Sequence, residues 1–535
     1  MSESIRSQQP AAAPLRFPKR VVILGDDVCA WMSATVLLRH FGRLGIQVTV
    51  CSDGHRTNRT GQQAVSTTAA LTKLLKNIGI DEHDLLRACQ GTYKLATQYS
   101  DWATDGRDFW QPLGANSQRV AGRPIFDAWF SERKAGRLLR PLHSYAAHWT
   151  AALAGKSPHS FSSTSDFAAS GEYGFHVDAT NLASWFREVA LKSGAEEVCA
   201  PIAKSSPNGR GGIAQVVCDD SKAIPGDLFL ECRLIDENQR DGANWISWDD
   251  QFQCDRMASI RTASKRQVPV FTRACGHDHG WSLTIPLAKS VQTSYAFDSK
   301  FHTDSQAADC LHKICGGDLG SDASTDAKSD DKIEFSQISS GRRTTFWKDN
   351  VVHLGNSACR LDSVAHTDLH LQQSGIELLL ELFPDRNIGK ATRTEYNSKM
   401  ASLTNEFQDV VRLHHELRRR PTSGCRATSD KTSPALDALV VSAELKQLLE
   451  VYDACGEVTV RNSQSMPAAE IRGLLAGCGR LPQRPSLTVR SAEPNHIQDV
   501  LRQAVKHNET VVKDLPLHEE LLDWIYNGPF QQNVG

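Results

Sequence analysis

The chain opens with apolar and polar blocks of the lengths that strands and helices need. The apolar run at residues 21–24 (VVIL) ends at Gly25, which predicts a short buried strand followed by a tight turn. Apolar residues then recur at steps of three and four, which predicts a helix beginning near Val28. A second strand is predicted at residues 48–51. Such a unit is typical of an α/β protein whose ligand lies beyond the carboxyl end of the first strand.

The same alternation continues through the middle of the chain and then changes. Leu182, Trp185 and Phe186 fall at helical steps, and residues 226–233 (GDLFLECR) predict another buried strand. After about residue 390 strand patterns fade while helical ones persist. The predicted organisation is a flexible tail at 1–18, a main module at 19–395 with a polar loop at about 316–331, and a helical subdomain at 396–535 with a linker at about 421–434.

Composition narrows the class of protein. The 535 residues include 60 Lys and Arg against 62 Asp and Glu, a balance that argues against bulk disorder and against a nucleic-acid partner. No segment has the apolar core of a signal peptide or the length of a membrane span, so we expect a cytoplasmic protein without membrane association. The 14 cysteines form no CxxC pair, and we predict no metal site and mostly buried, reduced thiols.

Five segments, met in a fixed order along the chain, carry recognisable motifs. They are TYKLATQYSDW with FWQPLG (92–102 and 109–114), FHVDATNLASWFRE (175–188), WDDQFQCDRMASI (248–260), FTRACGHDHGWSLTIPL (271–287), and SSGRRTTFWKDNVVHLGNSA with HLQQSGIELLLELFPD (339–358 and 370–385). Together they resemble the flavin-dependent tryptophan halogenases. The resemblance implies an α/β, Rossmann-like FAD-binding fold of the flavin monooxygenase/halogenase type with a mainly α-helical C-terminal subdomain.

The resemblance also implies a chemistry. Bound FADH2 reacts with oxygen, halide attacks the resulting hydroperoxide, and hypohalous acid reaches a small aromatic substrate such as an indole in a separate pocket. A lysine holds the halogenating agent, and Lys94 matches its position, so we expect Lys94 beside position 365 across an interior passage. An active member requires FAD/FADH2, a halide and a separate flavin reductase; the resemblance also permits a homodimer.

The turn expected to bind the flavin phosphates departs from the family pattern GxGxxG. Gly25, Val28 and Ala30 stand at cofactor-binding positions, but Asp27 replaces the middle glycine. A carboxylate about 4 Å from a phosphate, at an effective dielectric constant of about 20, is repelled by about 4 kcal/mol. In the alternative reading the turn is displaced and Asp27 caps the helix that begins at Val28.

Two further flavin contacts are altered. Ser52 stands where the family has a glutamate that bonds the ribose, and Asp53 is the candidate substitute. The family's flavin strap aligns by spacing with residues 62–67 (QQAVST), which lack its glycines and its acid. Thr367 keeps a hydroxyl at the halide position.

The catalytic segment departs most. Aligned on residues 360–367, it places Ala365 at the catalytic glutamate, and alanine can neither accept a proton nor orient an acid. If the segment is helical, Asp362 and Asp368 share a face with position 365 and are candidate substitutes. His366 is either a replacement base or a structural histidine.

Two functions from different classes follow. The first is a flavin-dependent halogenase or monooxygenase acting on an indole or other aromatic with a remodelled site, and it requires flavin binding. The second is a non-catalytic module that keeps the halogenase fold for binding or assembly, and it predicts no flavin.

Overall fold

The structure is a computed structural model of the chain. It describes residues 17–52, 63–103, 106–114, 119–137, 140–161, 172–234, 244–264, 267–318, 332–385, 387–418, 441–459 and 466–528. Asp53, the linker at 421–434, residues 1–16 of the tail and most of the predicted polar loop lie outside this part of the chain.

A six-stranded, largely parallel sheet carries the start of the chain. The first strand (Arg20–Leu24) lies between Gln47–Ser52 and Leu228–Glu231 and is parallel to both. These are the strands predicted at 21–24, 48–51 and 226–233, and all three predictions are confirmed. Their continuous apolar runs suit this position, because a parallel sheet is buried on both faces.

The first helix (Val28–Phe41) follows the first strand, as predicted. It packs against the helix Ala179–Lys192, where the Thr35 hydroxyl donates to the carbonyl oxygen of Phe186 at 3.1 Å. Ten consecutive residues of the first helix, from Cys29 onward, are buried. Because the helix is enclosed on all sides, its sequence is apolar around most of its circumference.

A seven-stranded, mostly antiparallel sheet forms the second large layer. Within it, the strand Ala96–Ser100 runs parallel to Phe271–His277. Lys94 ends the short strand Thr92–Lys94, which pairs with Gly174–Asp178 in a separate three-stranded sheet. Lys94 therefore lies at the passage from one sheet to the other.

Helices dominate the described C-terminal region. From Lys390 onward, all the secondary-structure elements in the described ranges are helices, as the sequence predicts. The helix Lys390–Leu417 runs across the expected boundary at 395/396. Its last turns, including Val411 and Leu417, are buried, so this helix joins the main module to the C-terminal helices.

The helix Asp304–Asp318 extends into the stretch predicted as a polar loop at about 316–331, because it continues through Gly316. Ala307 and Leu311 of this helix are fully buried against apolar side chains of the seven-stranded sheet. This packing stabilises the helix, and its last turn extends into the polar stretch of the sequence.

The described elements have the following bounds. The helices are Val28–Phe41, Ala69–Asn77, Glu82–Ala88, Ile125–Lys134, Ala147–Leu153, Ala179–Lys192, Asp304–Asp318, Asp368–Glu381, Lys390–Leu417, Ala443–Cys455, Ala468–Gly477, Leu487–Arg490, Pro494–Lys513 and His518–Asn527. The six-stranded sheet runs in the order Glu196–Cys199, Gln47–Ser52, Arg20–Leu24, Leu228–Glu231, Val351–His353, Trp347–Lys348, and the seven-stranded sheet in the order Glu334–Gln337, Arg256–Ala263, Ser290–Phe297, Gly280–Pro286, Phe271–His277, Ala96–Ser100, Phe109–Pro112. The small sheets are Ala64–Ser66 with Gly174–Asp178 and Thr92–Lys94, Ile202–Pro207 with Ile213–Cys218 and Ala223–Pro225, Trp245–Ser247 with Gly341–Arg343 and Cys359–Arg360, and Arg119–Val120 with Arg123–Pro124. None of the helices in these ranges is both long and apolar enough to cross a membrane.

Candidate functional site

The turn after the first strand is closed by its own aspartate. Gly25 has a φ of +130°, and a Cβ there would lie 3.3 Å from the Cβ of Cys232, so the close approach favours glycine. Asp27 has extended backbone and its Oδ1 accepts a hydrogen bond from the backbone N–H of Ala30 at 3.0 Å. Asp27 is therefore the N-cap of the first helix, and the capping interpretation of the sequence is confirmed.

A cavity of about 480 Å³, the turn cavity, opens in front of this cap. Gly25, Asp27 and Val28 lie on one wall, and residues 63–66 of the expected flavin strap lie on another. Ala30 is fully buried below the turn and contributes its N–H to Asp27. The sequence-predicted positions Gly25 and Val28 thus meet at one cavity, while Ala30 acts behind it.

The charges around the turn cavity are mainly acidic. Asp26, Asp27, Glu231 and Asp368 all line it. The guanidinium of Arg233, which also lines it, is held by the Glu231 carboxylate through two bonds of 2.9 and 2.7 Å. Arg343 also lines the cavity, so four carboxyl groups stand against two guanidinium groups, and a diphosphate would meet an excess of acidic side chains.

The ionisation of Asp27 is itself perturbed. Burial raises its pKa from the ordinary 3.8 to about 7, and the neighbouring charges of Asp26 and Asp368 act in the same direction. The hydrogen bonds from the N–H groups of Ala30 and Cys29 oppose this rise. Asp27 consequently changes charge near neutral pH.

Lys94 lies at a second cavity of about 290 Å³, the lysine cavity. Its side chain is only 2% exposed, and burial lowers its pKa from 10.5 to about 7 against the opposing charge of Glu470. Ala365 and His366 line the same cavity. The structure thus brings Lys94, Ala365 and His366 together in the interior, as the resemblance leads one to expect.

The segment around Ala365 is not one helix, and this corrects the expectation about its acids. A short 3-10 turn, Ser363–Ala365, ends at His366, whose φ of +57° is left-handed, and a new helix begins at Asp368. Asp362 Oδ1 accepts from the N–H of Val364 at 2.8 Å, so this carboxylate caps the turn. Asp368 lines the turn cavity and is absent from the lining of the lysine cavity, because the break at His366 separates it from position 365.

His366 forms part of the wall of both cavities. Its Nε2 is buried and has no hydrogen-bond partner among the described protein atoms. Burial, together with the nearby Lys94, holds the pKa of His366 well below its ordinary 6.5. At neutral pH the imidazole is therefore uncharged and only weakly basic, which does not suit the role of replacement base.

Thr367, the predicted halide residue, is in the lining of neither the turn cavity nor the lysine cavity. Thr367 is fully buried and its hydroxyl has no partner within the described part of the chain. Asp53 lies outside the described residues. No group of three or more His, Cys, Asp or Glu that could hold a metal ion occurs in the described ranges, and the 13 cysteines there are free thiols, most of them buried.

Glu470 is the member of the site that the sequence did not indicate. It lies in the first turn of the helix Ala468–Gly477 and lines the lysine cavity. It also lines a third cavity of about 440 Å³, the aromatic cavity. The ring-bearing side chains of the aromatic cavity include Phe109, Trp110, Phe126, Trp129, His143 and Tyr145. A first-turn glutamate is common for electrostatic reasons, so only its position at two cavities marks it out.

The chain matches the tryptophan halogenase family over residues 20–494. This chain belongs to the tryptophan halogenase family. The tryptophan 6-halogenase SttH of Streptomyces toxytricini is 25% identical over 506 residues, covering 90% of this chain and 93% of that relative. The 7-chloro-L-tryptophan 6-halogenase KtzR of Kutzneria sp. (strain 744) is 25% identical over 533 residues, covering 94% and 98%.

The fold agrees with solved members of the halogenase family. BrvH, a flavin-dependent halogenase from Brevundimonas sp. BAL3, has a TM-score of 0.81 at 25% identity and covers 95% of this chain and 99% of its own. Xcc4156, a flavin-dependent halogenase from Xanthomonas campestris, has a TM-score of 0.83 at 24% identity and covers 96% and 99%. The predicted halogenase-type fold is confirmed.

The halogenase family is flavin-dependent, and the turn cavity is where its members' fold would place the flavin phosphates. Two of the first-turn N–H groups that a helix start offers to a phosphate, those of Cys29 and Ala30, already bond to Asp27. Asp26, Glu231 and Asp368 add further carboxylates to the same cavity. As folded, these residues do not suit the diphosphate of FAD when Asp27 is ionised.

Proposed function

We propose that this halogenase-family chain is a ligand-binding module that does not hold a flavin dinucleotide through its phosphate turn when Asp27 is ionised. The observation that carries the proposal is the bond from the Ala30 N–H to the Asp27 carboxylate at 3.0 Å. This carboxylate occupies the N–H groups of Cys29 and Ala30, which a phosphate would otherwise use, and when ionised it repels the phosphate.

The lysine cavity supports a loss of the family chemistry from a second direction. Position 365 presents a methyl group next to Lys94, and Asp368 lies on the turn cavity. Position 365 therefore lacks the carboxylate that the family resemblance expects, and neither candidate substitute, Asp362 or Asp368, lines the lysine cavity. The chain has an aromatic cavity that shares Glu470 with the lysine cavity, which favours binding of a small aromatic molecule.

A flavin-dependent halogenase with a remodelled site is the second candidate. The observation favouring it is the buried Lys94, which lines a cavity that shares the wall residue His366 with the turn cavity. This candidate requires FADH2, oxygen, a halide, an aromatic substrate and a separate flavin reductase. A homodimer is compatible with either candidate.

The deciding experiment is a titration of the purified chain with FAD and with anaerobically reduced FAD at pH 6 and pH 8, by calorimetry. For the native chain we expect no saturable binding at pH 8. Asp27→Gly should restore binding at pH 8, because it removes the carboxylate and returns a glycine to the turn. Asp81→Asn, which changes a distant helix N-cap, is the matched control and should leave the result unchanged.

Micromolar binding of either flavin by the native chain at pH 8 contradicts the proposal and favours the second candidate. Assays with halide, oxygen and indole then become the next measurement. Binding at pH 6 alone agrees with protonation of Asp27, since its pKa is raised to about 7.

A further inference from the structure

The lysine cavity contains a carboxylate that comes from a distant part of the chain. Glu470 and Lys94 line this cavity together, although 376 positions separate them in sequence (470 − 94). Burial raises the pKa of Glu470 from 4.5 to about 7 and lowers that of Lys94 from 10.5 to about 7, and the charge of each group opposes the shift of the other. Lys94 and Glu470 therefore line one cavity, near enough for their charges to interact.

Glu470 is held by hydrogen bonds and by the packing of its helix. The side-chain amide of Gln111, on the strand Phe109–Pro112, donates to the carbonyl oxygen of Glu470 at 3.4 Å. The backbone N–H of Gly114 bonds to the Glu470 carboxylate. At the other end of the helix, a Cβ on Gly477 would lie 2.2 Å from the ring of Phe109, so the helix is pressed directly onto this strand.

The other charged groups near the pair are few and do not replace Glu470. Burial, together with the charge of Lys94, holds the pKa values of His176 and His366 well below 6.5, so both are neutral at pH 7. Glu172 and Lys73 act on Glu470 with opposite signs. His370, Gln373 and Glu377 line the cavity as well.

We propose that Glu470 supplies the carboxylate that position 365 lacks, so that Lys94 and Glu470 form the polar centre of a site for a small aromatic molecule. Glu470 lies where the lysine cavity meets the aromatic cavity. A ligand ring packs among aromatic side chains such as Trp110, and its polar N–H or O–H group donates to Glu470. This inference rests on the proposed ligand-binding function.

Competitive labelling of the flavin-free chain with trace acetic anhydride tests the pairing. The extent of Lys94 acetylation against pH, read by peptide mass spectrometry, gives the midpoint of its deprotonation. We expect Glu470→Gln to lower this midpoint by about one pH unit, a roughly tenfold change in the protonation equilibrium, because the stabilising anion is lost. Glu377→Gln, in the same cavity and bonded to Gln373 at 2.9 Å, is the matched control and should leave the midpoint in place.

Two more variants keep the test decisive if Glu470→Gln folds poorly. Glu470→Asp retains the charge and should keep the midpoint near that of the native chain. Ala365→Glu introduced into Glu470→Gln should restore the midpoint, because it returns an acid to the lysine cavity. An unchanged midpoint in Glu470→Gln, or an equal shift in Glu377→Gln, overturns the pairing.

Binding of indole, measured by calorimetry on the same variants, tests the ligand. At pH 8, above the raised pKa of Glu470 of about 7, Glu470→Gln should weaken indole binding about tenfold, as expected when a hydrogen bond to a charged acceptor is replaced by one to a neutral amide. Equal affinity in the native chain and Glu470→Gln overturns the assignment of Glu470 to the ligand. Since no flavin is present in either experiment, these outcomes are independent of the FAD titration.

Discussion

Replacing Asp27 with asparagine isolates the cost of keeping a carboxylate at the start of the first helix. The side-chain oxygen of asparagine can still accept from the Ala30 N–H, and asparagine caps helices as well as aspartate does. The substitution therefore removes the charge and keeps the cap. Any pH-dependent difference between the two proteins reports the ionisation of Asp27.

The magnitude follows from the shift in pKa. Burial raises the pKa of Asp27 from 3.8 to about 7, so the folded chain binds a proton more readily than the unfolded chain across that interval. Stability consequently falls as the pH rises through this window, by about 1.4 kcal/mol per pH unit. The cost of the native aspartate is about 1.5 kcal/mol at pH 5 and reaches about 4 kcal/mol at pH 8.

Urea denaturation of the native chain and Asp27→Asn at pH 5 and pH 8 measures this difference. We expect the variant to be the more stable at both values, with its advantage about 2.5 kcal/mol larger at pH 8. Asp81→Asn is the control, because Asp81 also caps a helix but its side chain is 49% exposed. An advantage that is equal at the two pH values would refute the reasoning.

Two further predictions concern packing and a buried carboxylate. Gly477→Ala should lower the free energy of unfolding by about 1 to 3 kcal/mol, because the new Cβ clashes with Phe109. Gly473→Ala lies on the same helix with nothing within 4 Å of the new Cβ, so it should raise the free energy of unfolding by up to about 1 kcal/mol. Urea denaturation of the two variants measures both effects. Glu82 accepts from the hydroxyl of Tyr93 at 2.8 Å, and although burial raises its pKa, its hydrogen bonds lower the pKa overall. Glu82→Gln should therefore cost about 1.5 to 3 kcal/mol at pH 7 and less as the pH falls through the folded pKa of Glu82, and a loss that does not shrink on acidification would count against this account.

Local sequence determined the elements around the turn cavity. The apolar run at 21–24 ends at Gly25, and the following aspartate caps a helix, because strand burial and capping depend on residues close together in the chain. The motif resemblance likewise placed Lys94 and Ala365 in one interior region, because several matched segments fix a fold that brings them together.

Tertiary structure decided what these residues face. The break at His366 turns Asp368 toward the turn cavity, and no short-range pattern announces a left-handed histidine. Glu470 has the sequence context of an ordinary first-turn glutamate, and only the packing of its helix on Phe109–Pro112 brings it to Lys94. Periodicity and capping are short-range properties, whereas burial and charge pairing depend on residues that are hundreds of positions apart.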